Sequence, residues 1–243
     1  MTNLVGFKFR EVNDNLIDSL QRNYIYFATP QQLNDPFDCR VDIATALDQA
    51  ISKSDGEQQN LIRQIRNAKP LFEQIQMDVQ KFGVFSIASK LYHPVMWSHY
   101  ADEHRGVCLT YSFPEDFTIA VGNNIIGRAP VAYGDEPVTD WIMQNARMID
   151  ISDPLEFAIG LMKKLLTVKS KGWSYEKEYR LIRPESGEIE YAQECLTQVC
   201  YGLGTSEEDR ERVEDALAVT SSKATRVQMT RTESNFGLVA VEI

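Results

Sequence analysis

The chain has 243 residues, 43% of them hydrophobic, so it can bury an ordinary core, and we expect a single domain over residues 1–243. Its formal net charge of −10 argues against a protein that coats a nucleic-acid duplex, because such proteins carry a basic surface. A local basic pocket for a phosphate or a nucleotide stays compatible with this charge.

The N-terminal residues and the cysteines indicate the compartment. Residues 1–10 show no signal-peptide pattern, and no apolar run reaches the length of a membrane span. The four cysteines form no CxxC pair, so we expect small buried thiols and no metal site. We therefore predict a cytoplasmic protein with no membrane partner, and the oligomeric state stays open.

The first half of the chain predicts alternating strands and helices. Strands are predicted at residues 5–10, 24–27, 84–89 and 107–111, from short β-prone runs. Helices are predicted at residues 13–22, 43–81 and 94–105, the second with breaks near 54–56 and at Pro70, and with Gly83 as its stop.

The second half predicts a similar mixture. Residues 122–134 have hairpin-like chemistry, and residues 140–171 look helical, with Asp153-Pro154 at a helix start. Strands are predicted at residues 175–183, from 196, at 224–229 and at 237–243, and a helix at 206–218. Together these elements predict an α+β fold with a central, mostly antiparallel sheet and flanking helices.

Residues 34–38, NDPFD, place turn-forming and acidic side chains around a proline and a phenylalanine. A capped turn explains them, because Asn and Asp side chains bond nearby backbone N–H groups. The functional interpretation is a rigid loop that presents Asn34, Asp35 or Asp38 to a ligand. The pattern alone favours the turn.

Residues 169–183, KSKGWSYEKEYRLIR, hold two carboxylates two residues apart, Glu176 and Glu178. If the segment is a strand, both lie on one face, with Arg180 beside them. Carboxylates this close repel unless one is protonated or a cation lies near. In a binding site, a nearby cation or a bound proton would offset this repulsion. On a charged strand edge, water and the neighbouring Lys and Arg side chains would offset it.

Several motifs together resemble the bacterial family called domain of unknown function 2971. They are NDPFD at 34–38, MWSHYADEHRGVCL at 96–109 and KSKGWSYEKEYRLI at 169–182, with FKFR at 7–10 and QVCYGLGTSEED at 198–209. The resemblance extends over nearly the whole chain. It implies a bacterial or phage-associated protein, and some members lie near defence genes. The resemblance assigns no chemistry.

A second resemblance is to ADP-ribosyltransferases, whose split, mostly antiparallel sheet clasps NAD. One class uses an arginine on an early strand, a Ser-Thr-Ser-like strand and a Glu-x-Glu motif. Arg10, residues 86–89 and Glu176-Lys177-Glu178 are similar in order, although residues 86–89 lack the central threonine. The resemblance implies a nucleotide-type ligand, NAD, and an acceptor that is protein, nucleic acid or water.

The same resemblance implies roles for individual side chains. Glu178 would stabilise the charge that develops on the ribose, and Ser86 would hold it in place. Glu176 would orient or deprotonate the acceptor, Arg10 would bind the pyrophosphate, and Trp97 or Tyr100 would stack on the nicotinamide. Asn34, Asp35, Asp38 and Arg180 complete the candidate cofactor-binding set.

Two other hypotheses stay open. In a nuclease-type defence protein, His99 with Glu178 or Asp35 would be an acid–base pair, or part of a metal-binding cluster. In a non-enzymatic interaction module, Arg180 would pair with Glu176 or Asp38 in a buried network that fixes the fold. No P-loop and no GxGxxG motif occurs, which argues against those nucleotide-binding folds.

Overall fold

The computed structural model describes residues 3–119, 121–146, 155–233 and 237–243. Within these residues the strands are β1 (Leu4–Arg10), β2 (Tyr24–Phe27), β3 (Gly83–Ala88), β4 (Val107–Phe113), β5 (Gly127–Pro130), β6 (Ala132–Gly134), β7 (Val168–Ser170), β8 (Glu178–Arg183), β9 (Gly187–Glu190), β10 (Leu196–Tyr201), β11 (Thr225–Arg231) and β12 (Leu238–Glu242). The helices are α1 (Asp14–Gln21), α2 (Ile43–Lys53), α3 (Gly56–Arg66), α4 (Lys69–Val79), α5 (Pro94–Tyr100), α6 (Glu115–Ile119), α7 (Pro137–Asn145), α8 (Leu155–Leu165) and α9 (Glu207–Val219).

One sheet of eight strands dominates the part of the chain that the structure describes. The strand order is β12-β11-β10-β4-β1-β3-β8-β5, and β10–β11 is its parallel pair. The other neighbours are antiparallel. The predicted α+β class with a mostly antiparallel sheet is therefore confirmed.

Both faces of the central strands are buried because hydrophobic side chains occupy both sides of the pleat. In β4, Leu109 and Tyr111 join the core beneath α1 and α9, whereas Cys108 joins the core beneath α5. A third core fills the space between the β3–β8 end of the sheet and α2, α3, α4, α7 and α8. The second face of the sheet is thus covered by α5 near its middle and by this helical group at one end.

The sheet opens between β1 and β3. These strands share one paired position, Phe7 with Ala88, whereas β1 pairs with β4 over seven positions. The Lys8 ammonium bridges the opening by donating a hydrogen bond of 2.9 Å to the Ser86 carbonyl. We call this opening the seam, and it positions the candidate site.

Two predicted elements end or begin elsewhere in the structure. The helix predicted to reach residue 105 ends at Tyr100, because Asp102, Glu103 and His104 adopt left-handed φ values of 45°, 52° and 70°. The strand predicted from residue 175 begins at Glu178, because Lys171–Glu176 form a 3-10 helix and Lys177 has a φ of 47°.

Other predictions are also corrected. Residues 122–134 form no hairpin, because β5 joins the large sheet while β6 pairs with β7. Gly83 starts β3 and does not stop a helix, since α4 already ends at Val79. The predicted helix start at Asp153-Pro154 lies outside the described residues.

The state of the cysteines and the length of the helices can be compared with the sequence-based expectations. All four cysteines are free and buried, as expected for small apolar groups. Among the described residues, no helix is both long and apolar enough to cross a membrane.

Candidate functional site

A cavity of about 210 Å³ lies at the seam between β1 and β3. Its walls include aromatic and apolar side chains, and its floor is polar. The polar and charged residues that line it are Lys8, Gln32, Asn34, Asp38, Ser86, Tyr100, Lys169, Glu176, Glu178 and Arg180. A cleft in which polar groups converge between apolar walls is a common form of small-molecule site, and at about 210 Å³ this one can enclose part of a dinucleotide, since typical sites measure about 300–1,000 Å³.

Arg180 lies at the centre of the polar floor and is 1% exposed. Its Nε donates to Glu178 Oε1 at 2.7 Å, and its Nη1 and Nη2 donate to the Asp38 carboxylate at 2.9 and 2.5 Å. Nη1 also donates to the Leu166 carbonyl at 2.9 Å, and Nη2 to Glu178 Oε2 at 3.2 Å. These contacts use all five guanidinium N–H groups, so Arg180 positions the two carboxylates and has no donor left for a ligand.

Glu178 is buried at the start of β8 and remains ionised. Burial opposes its ionisation, but the charge and hydrogen bonds of Arg180 outweigh that cost and lower the pKa of Glu178 to about 2. Lys169 Nζ lies 3.6 Å from its Oε2, and the Ser86 side chain hydrogen-bonds to the carboxylate. The result is a fixed negative charge inside the cavity.

Glu176 is the second buried acid, and cations and hydroxyls also surround it. Lys169 Nζ donates to its Oε2 at 2.6 Å, and the Tyr100 hydroxyl donates to its Oε1. Asn34 Nδ2 in turn donates to the Tyr100 oxygen at 2.7 Å. Burial raises the pKa of Glu176, so the two glutamates are tuned in opposite directions.

The backbone brings the two glutamates together in an unexpected way. A shared strand face was predicted, but Glu176 ends a 3-10 helix and Glu178 begins a strand. The left-handed Lys177 between them turns the chain, and the Lys177 side chain stays exposed. Both carboxylates therefore reach the cavity by a turn, and the period of two of a strand does not apply.

Lys8 supplies a further positive charge at the seam. Burial lowers the pKa of Lys8 to about 8, and nearby Arg10 lowers it as well. Sequence analysis overlooked Lys8 and Lys169. The signal for Lys8 is a lone lysine between two phenylalanines of a central strand, where a charged side chain has no reason to be unless it has a partner.

For the loop at 34–38, a capped turn and a ligand-facing loop were the two interpretations, and each describes some of its residues. Asp35 caps the turn, because its Oδ1 accepts the Phe37 N–H at 2.9 Å. Asn34 and Asp38 line the cavity. The turn therefore explains one residue, and the site contains the other two.

Besides Asp35, three other predicted site residues lie away from the cavity lining. Arg10 lies at the end of β1 opposite Val107. Trp97 is fully buried, packs edge-on against Phe9 at 5.2 Å and donates to the Leu91 carbonyl, so it cannot stack on a ligand. Tyr100 remains the aromatic candidate.

The third residue is His99, whose Nδ1 lies 2.9 Å from the Tyr175 hydroxyl. Its neighbours are aromatic rings, Trp173 among them, and it does not line the cavity that holds Glu178. In the ranges that the structure describes, no group of three or more His, Cys, Asp or Glu residues is arranged to hold a metal ion.

Residues 96–181 match the sequence profile of a family described as "Protein of unknown function (DUF2971)". The resemblance to that family is thus supported over the segment that supplies Tyr100, Lys169, Glu176, Glu178 and Arg180. No curated protein and no solved structure matches the chain.

We expect Arg180→Met to lower the free energy of unfolding by about 3–5 kcal/mol, because it leaves buried carboxylates without their main partner. Urea denaturation measures this loss. Arg66→Met is the matched control, since Arg66 makes a similar two-bond contact with Asp48 at the surface and should contribute less than about 1 kcal/mol. Equal losses in the two variants would show that the buried network does not constrain the fold.

We also expect Glu178 to contribute to acid sensitivity. Its folded pKa of about 2 lies below the ordinary 4.5, so its stabilisation is present above the ordinary value and is lost as pH falls through the folded value. Melting temperatures of wild type and Glu178→Gln should therefore converge from about pH 5 to about pH 2. Glu176 acts in the opposite sense, and because the Glu178 charge helps to raise the pKa of Glu176, the difference between the two proteins reports on Glu178 together with its effect on Glu176. A constant difference would contradict the assignment.

Proposed function

We propose that the cavity binds NAD and that the protein cleaves the nicotinamide–ribose bond, passing the ADP-ribosyl group to protein, nucleic acid or water. One observation carries the proposal. A buried glutamate, paired with Arg180 and ionised at neutral pH, lies in a cavity at the seam of a mostly antiparallel sheet.

Glu178 suits the charge that this reaction develops. When the C1′–N bond breaks, its electron pair moves to the nicotinamide nitrogen and positive charge appears on the ribose. A carboxylate already fixed in a site of low dielectric stabilises that charge without reorganising. The low pKa keeps Glu178 anionic at neutral pH.

Lys8 is the cation that we assign to the pyrophosphate. The resemblance to ADP-ribosyltransferases implied Arg10, but Lys8 is the β1 cation that lines the cavity. Its ammonium has three donors and gives one to the Ser86 carbonyl. A bound phosphate would favour the charged form of Lys8, because a negative charge nearby raises the pKa of an ammonium group.

Glu176 and Tyr100 complete the assignment. The Glu176 oxygens hold Lys169 and Tyr100, which orients the Tyr100 ring along the cavity wall for the nicotinamide. As the acceptor oxygen bonds to C1′, its proton leaves to Glu176, whose raised pKa suits a base, and then to water.

The other two hypotheses have less support. For a His99–acid centre, the cavity that Glu178 lines includes neither His99 nor Asp35. A purely structural network is favoured by the Arg180–Asp38 pair, but that hypothesis expects no cavity around Glu178.

We expect Glu178→Gln to lower the rate of nicotinamide release from NAD by about 100- to 1,000-fold, because the fixed charge is lost. Chromatography of NAD reactions, run below the melting temperature of the variant, measures this. Glu190→Gln, at an exposed position of β9, should match wild type. Wild-type turnover in Glu178→Gln would remove Glu178 from the mechanism.

We expect millimolar NAD to raise the melting temperature by several degrees, because a ligand that binds only the folded state stabilises it. Lys8→Met should abolish most of this shift, and Arg10→Met, two residues along the same strand, should retain it. The reverse result would return the phosphate-binding role to Arg10. The absence of any shift in wild type would contradict NAD binding itself.

A further inference from the structure

A second hollow, a groove of about 730 Å³, lies on the same face of the sheet as the cavity. Its floor is a row of side chains across four strands, and its roof is the loop at residues 89–93. The row follows from the pairing register: Phe7 of β1 lies opposite Thr110 of β4, which pairs with Gln198 of β10, which pairs with Thr225 of β11. Directly paired residues point to the same face, so the row forms one surface.

The floor contains a polar atom without a partner. Thr110 is 8% exposed, and its Oγ1 finds no hydrogen-bond partner among the described residues. The buried Nδ1 of His93, in the roof, is in the same state. Leaving a buried polar group unpaired costs about 1–3 kcal/mol, so native proteins seldom keep one without a reason. Thr110 and His93 both line the groove, so two unpaired polar atoms in its lining residues point to a ligand that satisfies them.

The remaining polar groups define what that ligand must offer. The Thr225 hydroxyl donates to the Thr197 carbonyl at 3.3 Å and the Thr197 hydroxyl to the Thr110 carbonyl at 3.1 Å, so each hydroxyl can meet a ligand only as an acceptor, Thr225 with its one remaining lone pair. Gln198 Nε2 donates one N–H to the Thr225 hydroxyl oxygen at 3.5 Å, which leaves the Gln198 carbonyl oxygen and a second N–H for an adenine edge. A ligand with several donors fits this floor.

Aromatic and cationic groups at the edges of the groove indicate which class of ligand it can bind. Phe7 lines the floor, and the half-exposed Tyr92 lies at the roof, so a planar ring can pack against an aromatic side chain. Lys90 and His93 lie on the same roof and can face a phosphate. The volume lies within the range of about 300–1,000 Å³ for small-molecule sites.

From these observations we propose that the groove is a binding site for a purine nucleoside or its phosphate, with Thr110 and Gln198 contacting the ligand. The proposal stands on the groove alone and does not need NAD cleavage at Glu178. The two hollows are neighbours, because Phe7 lines both and the His93 ring stacks on Tyr175 at 5.7 Å, directly before Glu176. A ligand in the groove therefore lies beside the turn that carries the second acid.

Isothermal titration of the full chain with adenosine and with AMP tests the proposal. We expect low-millimolar or tighter binding, and about tenfold weaker binding to Thr110→Val, which removes a single hydroxyl. Because this hydroxyl has no protein partner, Thr110→Val should keep or raise the melting temperature. Thr230→Val, on β11 away from the groove, should bind as wild type does, although it loses a hydrogen bond to the Val239 carbonyl.

Competition identifies the source of the nucleoside. If NAD displaces adenosine and Thr110→Val weakens both, the groove accepts the adenosine part of a dinucleotide; if NAD does not compete, the groove takes a free nucleotide. Equal affinity of adenosine for Thr110→Val and wild type overturns the proposal, and so does the absence of adenosine and AMP binding at millimolar concentration. Binding of inorganic phosphate as tightly as AMP overturns it too, since an anion alone would then suffice. None of these readouts depends on nicotinamide release.

Discussion

The bidentate contact of Arg180 with Asp38, together with its bonds to Glu178, is the constraint around which the site is built. Removing a guanidinium from water costs several kcal/mol unless acceptors meet its donors. Those acceptors come from the 34–38 loop, from β8 and from the Leu166 carbonyl just after α8. These three segments must therefore pack around Arg180 in the folded chain, and together they form the floor of the cavity. A network of this kind costs stability if any member is missing, so it specifies one arrangement of the chain.

The seam gives this network access to a ligand. In a fully paired sheet, β1 would occupy the whole hydrogen-bonding edge of β3, and the gap between the two strands would be closed. The single paired position at Phe7 leaves room, and the Lys8 side chain occupies part of it. The polar floor is thus held rigidly by hydrogen bonds while the space above it stays open. Rigid charges in a partly dry cleft are the arrangement that favours electrostatic stabilisation of a reacting group.

The distribution of charge in the cavity differs from that of the whole chain. The net charge of −10 belongs to the whole chain, whereas the cavity contains Lys8, Lys169 and Arg180 beside three carboxylates. Local balance, and not the total, sets the potential that a ligand meets. The groove on the same face is lined mostly by neutral hydroxyl and amide groups, with Lys90 and His93 at its roof. The face therefore contains two different chemical environments separated by Phe7.

Local patterns were sufficient for much of the fold, because strand alternation and helix caps depend on neighbours in sequence. They predicted β1, β2, β3, β4 and α1 closely, and they singled out Glu176 and Glu178, which both line the cavity. They could not predict that Arg180 pairs with Asp38, 142 residues away, or that Lys8 lines the cavity while Arg10 does not. Those outcomes depend on the register of β1, β3 and β8 and on where the sheet opens. Register is set by packing across the whole molecule, so only the tertiary structure decided which charges share a site.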